Sequence, residues 1–295
     1  MIRKGLLYIS ILSIVACGHG GPELDTPTSG SINISADDAY KPIVEAEINV
    51  YQALYPRAKI HAHYESEDSA FKDLLADSAR LIIVNRKLTT QEENYFSNKQ
   101  LFPEQVKIAT DALALIVNND CPDTLLPLDK VKAIFSGQDS TWKAVVFDHE
   151  NSGNARYIQE NILQGKPLPK YCFAVYSNPQ VIDYVSNNKN ALGIISVNWI
   201  SNEYDSTVIS FQKRIKVIAI SPKDSKNPGD YHQPYQAYMK MDDYPLCRDM
   251  YIISREPRTG LGSGFLSFVT ADKGQRIIYR EGLLPATVPT HIISY

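Results

Sequence analysis

The sequence predicts an α/β protein built on mostly parallel sheets. Three observations carry the prediction. Strand and helix patterns alternate from residue 31 onward. Leu81-Ile82-Ile83-Val84 is a fully apolar run of the kind that a parallel sheet buries on both faces. Asp111 to Asn118 is a longer apolar strand, able to pass from one domain into another. At 295 residues the chain has room for roughly two domains of ~100–150 residues, each with a sizeable core.

Each element has a local signal. Ser31 to Ser35 reads as a short strand, and Tyr40 to Tyr55 carries apolar residues at helical spacing until Pro56 stops it. Lys59 to Tyr64 is the next strand, Ser69 to Ala79 a helix, and Leu81 to Val84 the buried strand. Thr90 to Asn98 is a polar helix. After the strand at Asp111 to Asn118, Leu128 to Phe135 forms a short helix ending at Gly137, and Val145-Val146-Phe147 a strand. Tyr157 to Leu163 is a helix closed by Gly165, and Gln180 to Asn188 is another. Gly193 to Val197, Ile215 to Ile220 and Met250 to Ser254 are strands, and Gly264 to Glu281 reads as one long final helix. No internal repeat is visible.

The N-terminus carries an address. Arg3 and Lys4, the apolar stretch from Leu6 to Ala16, and Ile14-Val15-Ala16-Cys17 are the parts of a bacterial lipoprotein signal. The apolar stretch is shorter than the about 20 residues needed to span a bilayer. Cleavage before Cys17 and acylation of its sulfur would leave a body anchored by lipid to a membrane, facing the periplasm or exterior. Residues 1–16 are then the signal peptide, and 17–30, rich in Gly, Pro, Thr and Ser, a flexible tether. The formal charge of −3 becomes −5 without the signal, 28 cationic against 33 acidic side chains. No basic stripe runs along the chain, which argues against a nucleic-acid partner.

Reactive chemistry is sparse. Cys121, Cys172 and Cys247 allow at most one disulfide, match no zinc spacing and read as buried small hydrophobes. His61, His63 and Glu65 share a strand face and could form a metal trio, but no second cluster supports them, and a solvated edge strand is the better reading. No Gly-x-Ser-x-Gly elbow, His-Glu-x-x-His or phosphate-cradling Gly-x-x-x-x-Gly-Lys occurs, so neither an enzyme nor a cofactor is predicted. Gly260-Leu261-Gly262-Ser263-Gly264 lacks such a lysine and reads as a flexible start to the final helix.

The order of motifs resembles the phosphate-binding proteins of ABC transporters, members of the type II periplasmic binding-protein superfamily. Asp111 to Asn118, then Ile134-Phe135-Ser136-Gly137 and Trp142, is similar to that family's crossover strand, "IFSG" turn and tryptophan. Tyr244-Pro245-Leu246-Cys247-Arg248-Asp249-Met250-Tyr251 is similar to its "YPLSRPLY" segment, and Asn190-Ala191-Leu192-Gly193-Ile194-Ile195 to its "GAIGY" strand without the first glycine. Phe265 to Val269, Lys273 to Ile278 and Glu281-Gly282-Leu283-Leu284-Pro285 resemble its last helix and tail. The resemblance covers residues 31 to 288. It implies a two-lobed α/β fold, each lobe a mixed, mostly parallel sheet flanked by helices, with a cleft that closes on a ligand. Lobe one would comprise 31–112 and 245–295, and lobe two 113–244. The tyrosine-rich run Tyr231, Tyr235, Tyr238 and Tyr244 would then pack over the hinge or form a partner surface.

In that family hydroxyls and backbone N–H groups at helix starts hold the anion, where the peptide dipoles favour negative charge. By resemblance the site residues here are Ser35, Asp37, Asp38, Ser66, Ser69, Arg80, Asp148, Ser152, Gly153 and Asn154. Several depart from the pattern. Ala36-Asp37-Asp38-Ala39 and Glu65-Ser66-Glu67-Asp68-Ser69 replace loops of glycine, serine and threonine. An acid at a helix start caps the free N–H groups itself and takes the place of an anion. The family's phosphate-binding aspartate aligns with Arg80 and its arginine with Asp148, so a salt bridge of reversed polarity is expected between them. Ser152-Gly153-Asn154 still resembles the anion-binding turn before a helix beginning near Ala155, and Arg86 and Arg156 could add positive charge.

The expectation is a lipid-anchored, non-enzymatic solute-binding protein that captures phosphate or a similar small oxyanion for a membrane permease. The alternative is an envelope protein-interaction module on the same fold that no longer binds phosphate. The acidic loops favour the alternative and the general resemblance favours the first.

Overall fold

The computed structural model describes residues 24–287, apart from 224, 226 and 228. The expected signal peptide and Cys17 lie outside the described residues. The first half of the chain alternates as expected. Strand β1 (Gly30–Asp37) enters helix α1 (Lys41–Leu54) through a 3-10 turn at Asp38–Tyr40. There follow β2 (Ala58–Glu65), α2 (Glu67–Ala76), β3 (Leu81–Val84) and α3 (Thr90–Asn98). Strand β4 (Glu104–Asn118) leads to β5 (Leu125–Leu126), α4 (Leu128–Ser136), β6 (Ala144–Phe147) and α5 (Gly153–Tyr157). Next come β7 (Cys172–Ala174), α6 (Asn178–Asn187), β8 (Ala191–Ser196) and α7 (Ser206–Gln212). Short strands β9 (Ile215–Val217) and β10 (Ala219–Ile220) precede α8 (Gln236–Lys240). The chain returns through β11 (Cys247–Ser254) to α9 (Leu261–Thr270), α10 (Asp272–Arg280) and β12 (Leu284–Pro285).

The main sheet runs in the order β2-β1-β3-β11-β4-β8-β6-β7. Strand β1 is parallel to β2 and β3, and β6 is parallel to β7 and β8, while β11 and β4 run antiparallel to their neighbours. Strand β4 joins the two lobes. Its residues 104–112 pair with β11, and 113–118 pair with β8 and β9. Fifteen extended residues reach about 50 Å, which is what one strand needs to serve both sheets. The strand therefore starts well before the apolar stretch that marks it in the sequence, because its first four residues, Glu104 to Lys107, are exposed or only partly buried.

Registers decide which ends meet. Ala36 is level with Tyr64 and with Ile83, so β1, β2 and β3 finish together, and α1 and α2 start from one edge of the sheet. Across the cleft, β6 and β8 run side by side toward Phe147 and Ser196, and α5 starts shortly after the end of β6. The core of lobe one gathers Tyr40 of the 3-10 turn and Val44 and Tyr51 of α1 with Phe265 and Val269. A second cluster packs Val181, Ile182 and Val185 on Ile116 and Ile195. There Gly193 admits α6 closely, since a Cβ would stand 2.8 Å from Ile116, Val181 and Val185.

Five expectations change. The strand expected at Ile215 to Ile220 is two, β9 on β4 and β10 on β5, and the helix expected from Tyr157 starts at Gly153. The single final helix is two, because Ala271 is extended (φ −79°, ψ 169°) and α10 starts afresh at Asp272; neither Gly nor Pro marks the break. Helix α2 starts at Glu67, with Ser66 as its cap. The stretch read as a flexible tether is docked from Asp25 on. Asp25 pairs with Arg80 (2.8 Å) and Arg258 (2.5 Å) and accepts a hydrogen bond from the Leu261 N–H, while Tyr51 donates to the Pro27 carbonyl. With Glu256, which accepts from Gly262 and Ser263, Asp25 caps α9, so the glycine-rich start of that helix is anchored. Strand β2 is the sheet edge, with His61 and His63 exposed, and the three cysteines are free.

One buried group makes stability depend on pH. Glu47 of α1 lies among Ile43, Ile83, Ile108 and Phe265, and neither carboxylate oxygen has a hydrogen-bond partner among the described residues. Burial, reinforced by the charge of Glu281, pushes its carboxyl up to about 9. Between the unfolded value of about 4.3 and that folded value, the native state holds the extra proton, so stability falls as pH rises. Glu47→Gln is expected to flatten this fall by up to about 1.4 kcal/mol per pH unit, read from urea unfolding between pH 5 and 8.

Candidate functional site

The cleft between the lobes is built from the ends of β1, β2 and β3 on one side and the starts of α5 and α6 on the other. Asp37 ends β1 and is fully buried. One of its carboxylate oxygens accepts from the Ala39 N–H (3.0 Å) and so caps its own helical turn. The other reaches across the cleft to the Gly153 N–H at 2.9 Å. Ser152 caps α5 by accepting from the Ala155 N–H at 3.2 Å. Two of the free N–H groups at this helix start are thus already taken, one by Asp37.

The rest of the interface repeats the pattern. Glu67, at the start of α2, accepts from the Asn85 N–H (3.0 Å) and from Arg156 of α5 (2.5 Å). Arg156 also donates to the Asn85 side-chain carbonyl and pairs with Glu160. Asp38 accepts from the backbone and side chain of Asn178, at 3.3 and 3.0 Å, and the same amide donates to Asp148 at 3.3 Å. Asn198 and Trp199 both donate to the Ala39 carbonyl, at 2.8 and 3.0 Å. The closure is tight at Gly153, where a Cβ would lie 1.7 Å from Asn85 Nδ2 and 2.5 Å from Asp37 Oδ2.

The electrostatics follow from burial. Desolvation, then the charges of Asp148 and Glu67, drive the Asp37 carboxyl well above the ordinary carboxylate range, against the pull of Arg248. Burial likewise raises Asp148. The compensating cation is Arg248 on β11, whose Nε donates to Asp111 of β4 at 2.9 Å, with Nη2 also 2.9 Å from that oxygen. Ser196 of β8 donates to the other Asp111 oxygen at 2.7 Å. Strands β11, β4 and β8 are therefore tied by one buried charge pair and the Ser196 hydroxyl beneath the cleft.

The predicted site residues separate into groups. Asp37, Asp38, Asp148, Ser152, Gly153 and Asn154 meet at the cleft, all of them buried. Ser66 and Ser69 are bonded to each other at the start of α2 (3.0 Å), beside Glu67. Ser35 is turned to α2, its hydroxyl bonded to Asp73 at 2.6 Å. Arg80 does not reach Asp148; it pairs with Asp25 (2.8 Å) and Glu256 (3.2 Å). The register explains the correction. Arg80 N bonds the carbonyl of Asn33, four residues and about 13 Å back along the sheet from Asp37. The end of β3 that reaches the cleft presents Asn85 instead. Arg86 is held by Glu92 (2.8 and 3.0 Å), with its guanidinium 3.4 Å over the Phe71 ring.

Sequence reasoning missed Asn85, Asn178, Asn198 and the Asp111–Arg248 pair as site residues. Asn178 carried a signal, since Ser177 followed by Asn178 and Pro179 is a helix start. The others depend on strand register and carry none.

Chemically, the start of α5 has the Asp37 carboxyl group where its free N–H groups point. Two of its N–H donors, those of Gly153 and Ala155, are satisfied from within, and the acids around it oppose a further negative charge. The PBP superfamily domain matches residues 21–273, and the chain belongs to that superfamily. Within it the chain is similar to phosphate-binding components of ABC transporters. The phosphate-binding protein PstS of Staphylococcus aureus strain USA300 is 24% identical over 281 residues, covering 90% of this chain and 81% of that protein. A phosphate ABC transporter substrate-binding protein from Clostridium perfringens with bound phosphate superposes with a TM-score of 0.72 at 21% identity, over 88% of this chain and 100% of its own. An ABC-type phosphate transport receptor from Vibrio cholerae gives 0.62 at 22% identity, over 87% and 100%.

Two variants test the closure. Gly153→Ala is expected to open the cleft, seen as a larger radius of gyration in small-angle scattering with secondary structure unchanged. Arg156→Ala is expected to destabilise by about 3 kcal/mol, because it strands the buried Glu67 carboxylate, and Glu67→Ala by less, because Arg156 is partly exposed and keeps Glu160. Their double variant should show a coupling above about 1 kcal/mol in urea unfolding; additivity would mean that the pair contributes nothing.

Proposed function

We propose that this protein is a lipid-anchored, extracytoplasmic binding protein of the phosphate-receptor type whose anion seat is filled by its own Asp37, so that it serves an envelope partner rather than ferrying free phosphate. The observation that carries this reading is the 2.9 Å hydrogen bond from the Gly153 N–H to Asp37. A carboxylate at a helix start satisfies the same donors as a bound oxyanion. Here that group comes from the chain itself, and Glu67, Asp38 and Asp148 surround it with further acids. The lipoprotein pattern at Cys17 supports anchoring to a membrane. No helix among the described residues is long and apolar enough to cross one.

A second reading is capture of phosphate or another oxyanion and its delivery to a permease. It is favoured by the retained Ser152-Gly153-Asn154 turn and by the phosphate-binding relatives, and it requires Asp37 to swing out of the seat as the lobes open.

Calorimetric titration of the chain with phosphate, and separately with sulfate, at neutral pH separates the two. The first reading expects no saturable heat from folded protein, and it expects Asp37→Gly, which vacates the seat, to gain phosphate binding. Micromolar or tighter phosphate binding by the unaltered chain would reverse the order of the two readings.

A further inference from the structure

We propose that the interlobe cleft holds a second anion site, beside the seat that Asp37 fills, and that it takes a single carboxylate carried on an organic body. The site is a pocket of about 520 Å³ on the hinge side of the cleft, with Asn85, Lys87, Arg156 and Arg248 in its wall. That volume falls in the range of small-molecule sites and is far larger than an inorganic oxyanion needs.

Arg248 is the observation that points to a ligand. It is only 5% exposed, its Nε donates to Asp111, its guanidinium lies 5.3 Å over the Tyr40 ring, and although Nη2 is 2.9 Å from Asp111 neither Nη1 nor Nη2 has a hydrogen-bond partner among the described residues. A buried charged donor left unsatisfied is costly, and an acceptor that reached it would recover that cost. A planar guanidinium matches the geometry of a carboxylate. Lys87, 5.6 Å over the Tyr251 ring, adds a second positive charge to the wall. Arg156 is engaged by Glu67 and Glu160, so it contributes less net charge than its position suggests.

The remaining wall selects among anions. Asp242 and Asp249 also line the pocket, and although Asp249 is paired with Lys107 at 2.5 Å, the two acids oppose a dianion more than a monoanion. Tyr157, Met239 and Leu284 supply apolar surface for the body of the ligand. The chemistry that fits is a monocarboxylate with an apolar group, either a free small molecule or the end of a peptide chain. Nothing in this assignment depends on whether the Asp37 seat admits phosphate.

The test is calorimetric titration of the full chain in detergent with benzoate, with N-acetyl-glycyl-phenylalanine and its amide, and with inorganic phosphate. Saturable binding of benzoate alone assigns the pocket to small molecules. Tighter binding of the peptide acid, with none of its amide, assigns it to a chain end. In either case Lys87→Glu, a change at the pocket wall, is expected to weaken binding about fivefold, and Arg248→Lys, which keeps the charge facing Asp111, to weaken it at least as much. The proposal is overturned if none of the carboxylates binds, or if binding is the same in Lys87→Glu. Phosphate heat that is insensitive to Lys87→Glu would report an open Asp37 seat, so failure of the previous reading is distinguishable from failure of this one.

Discussion

The hydrogen bond between the Asp37 carboxylate and the Gly153 N–H holds the two lobes in their closed arrangement. It places an acid from the end of β1 at the start of α5, where the backbone partial charges favour an anion. Around it, Glu67 binds Arg156 and Asn85, Asp38 binds Asn178, and the Ala39 carbonyl receives Asn198 and Trp199. These contacts are polar and buried, and their partners would be hydrated if the lobes parted. Each therefore contributes modestly to the net free energy of closure, while leaving any one partner dry and alone is expensive. Closure of this kind is specific in register and still reversible.

The same device recurs away from the cleft. Asp25 and Glu256 satisfy the first N–H groups of α9, and Ser66 and Thr89 do so for α2 and α3. Helix starts that could receive a ligand are met from within the chain. Charge placement then explains the unusual mixture in the cleft. Four acids gather there, and Arg248 and Arg156 offset part of their charge. Burial and mutual repulsion raise Asp37 and Asp148 for that reason. The spare capacity lies on the hinge side, where both Nη atoms of Arg248 are without a hydrogen-bond partner among the described residues.

The α/β class, the order of most elements and the buried strand Leu81–Val84 were legible in the sequence, because apolar periodicity reports burial directly. So was the acidic character of the two loops, and the inference that an acid at a helix start caps it is met in Asp37 and Ala39. The break of the last helix at Ala271 and the docking of Asp25 were not legible. The first has no Gly or Pro to announce it, and the second is a contact between residues 236 apart in sequence.

Pairing across the cleft lay beyond the sequence for a physical reason. A charged residue on a strand has its type written in the chain, but its partner is set by register and by which strand ends coincide. Arg80 and Asp148 have opposite charge and aligned positions, and they are nonetheless in different places, because Arg80 sits level with Asn33 rather than with Asp37. The chain by itself determined the kind of fold, the order of most elements and the acidic character of the two loops. Only the tertiary structure decided that Asp37 faces Gly153, that Glu67 faces Arg156, and that Arg248 lies buried against Asp111, since each of these contacts depends on how two lobes joined by β4 and β11 come to rest against one another.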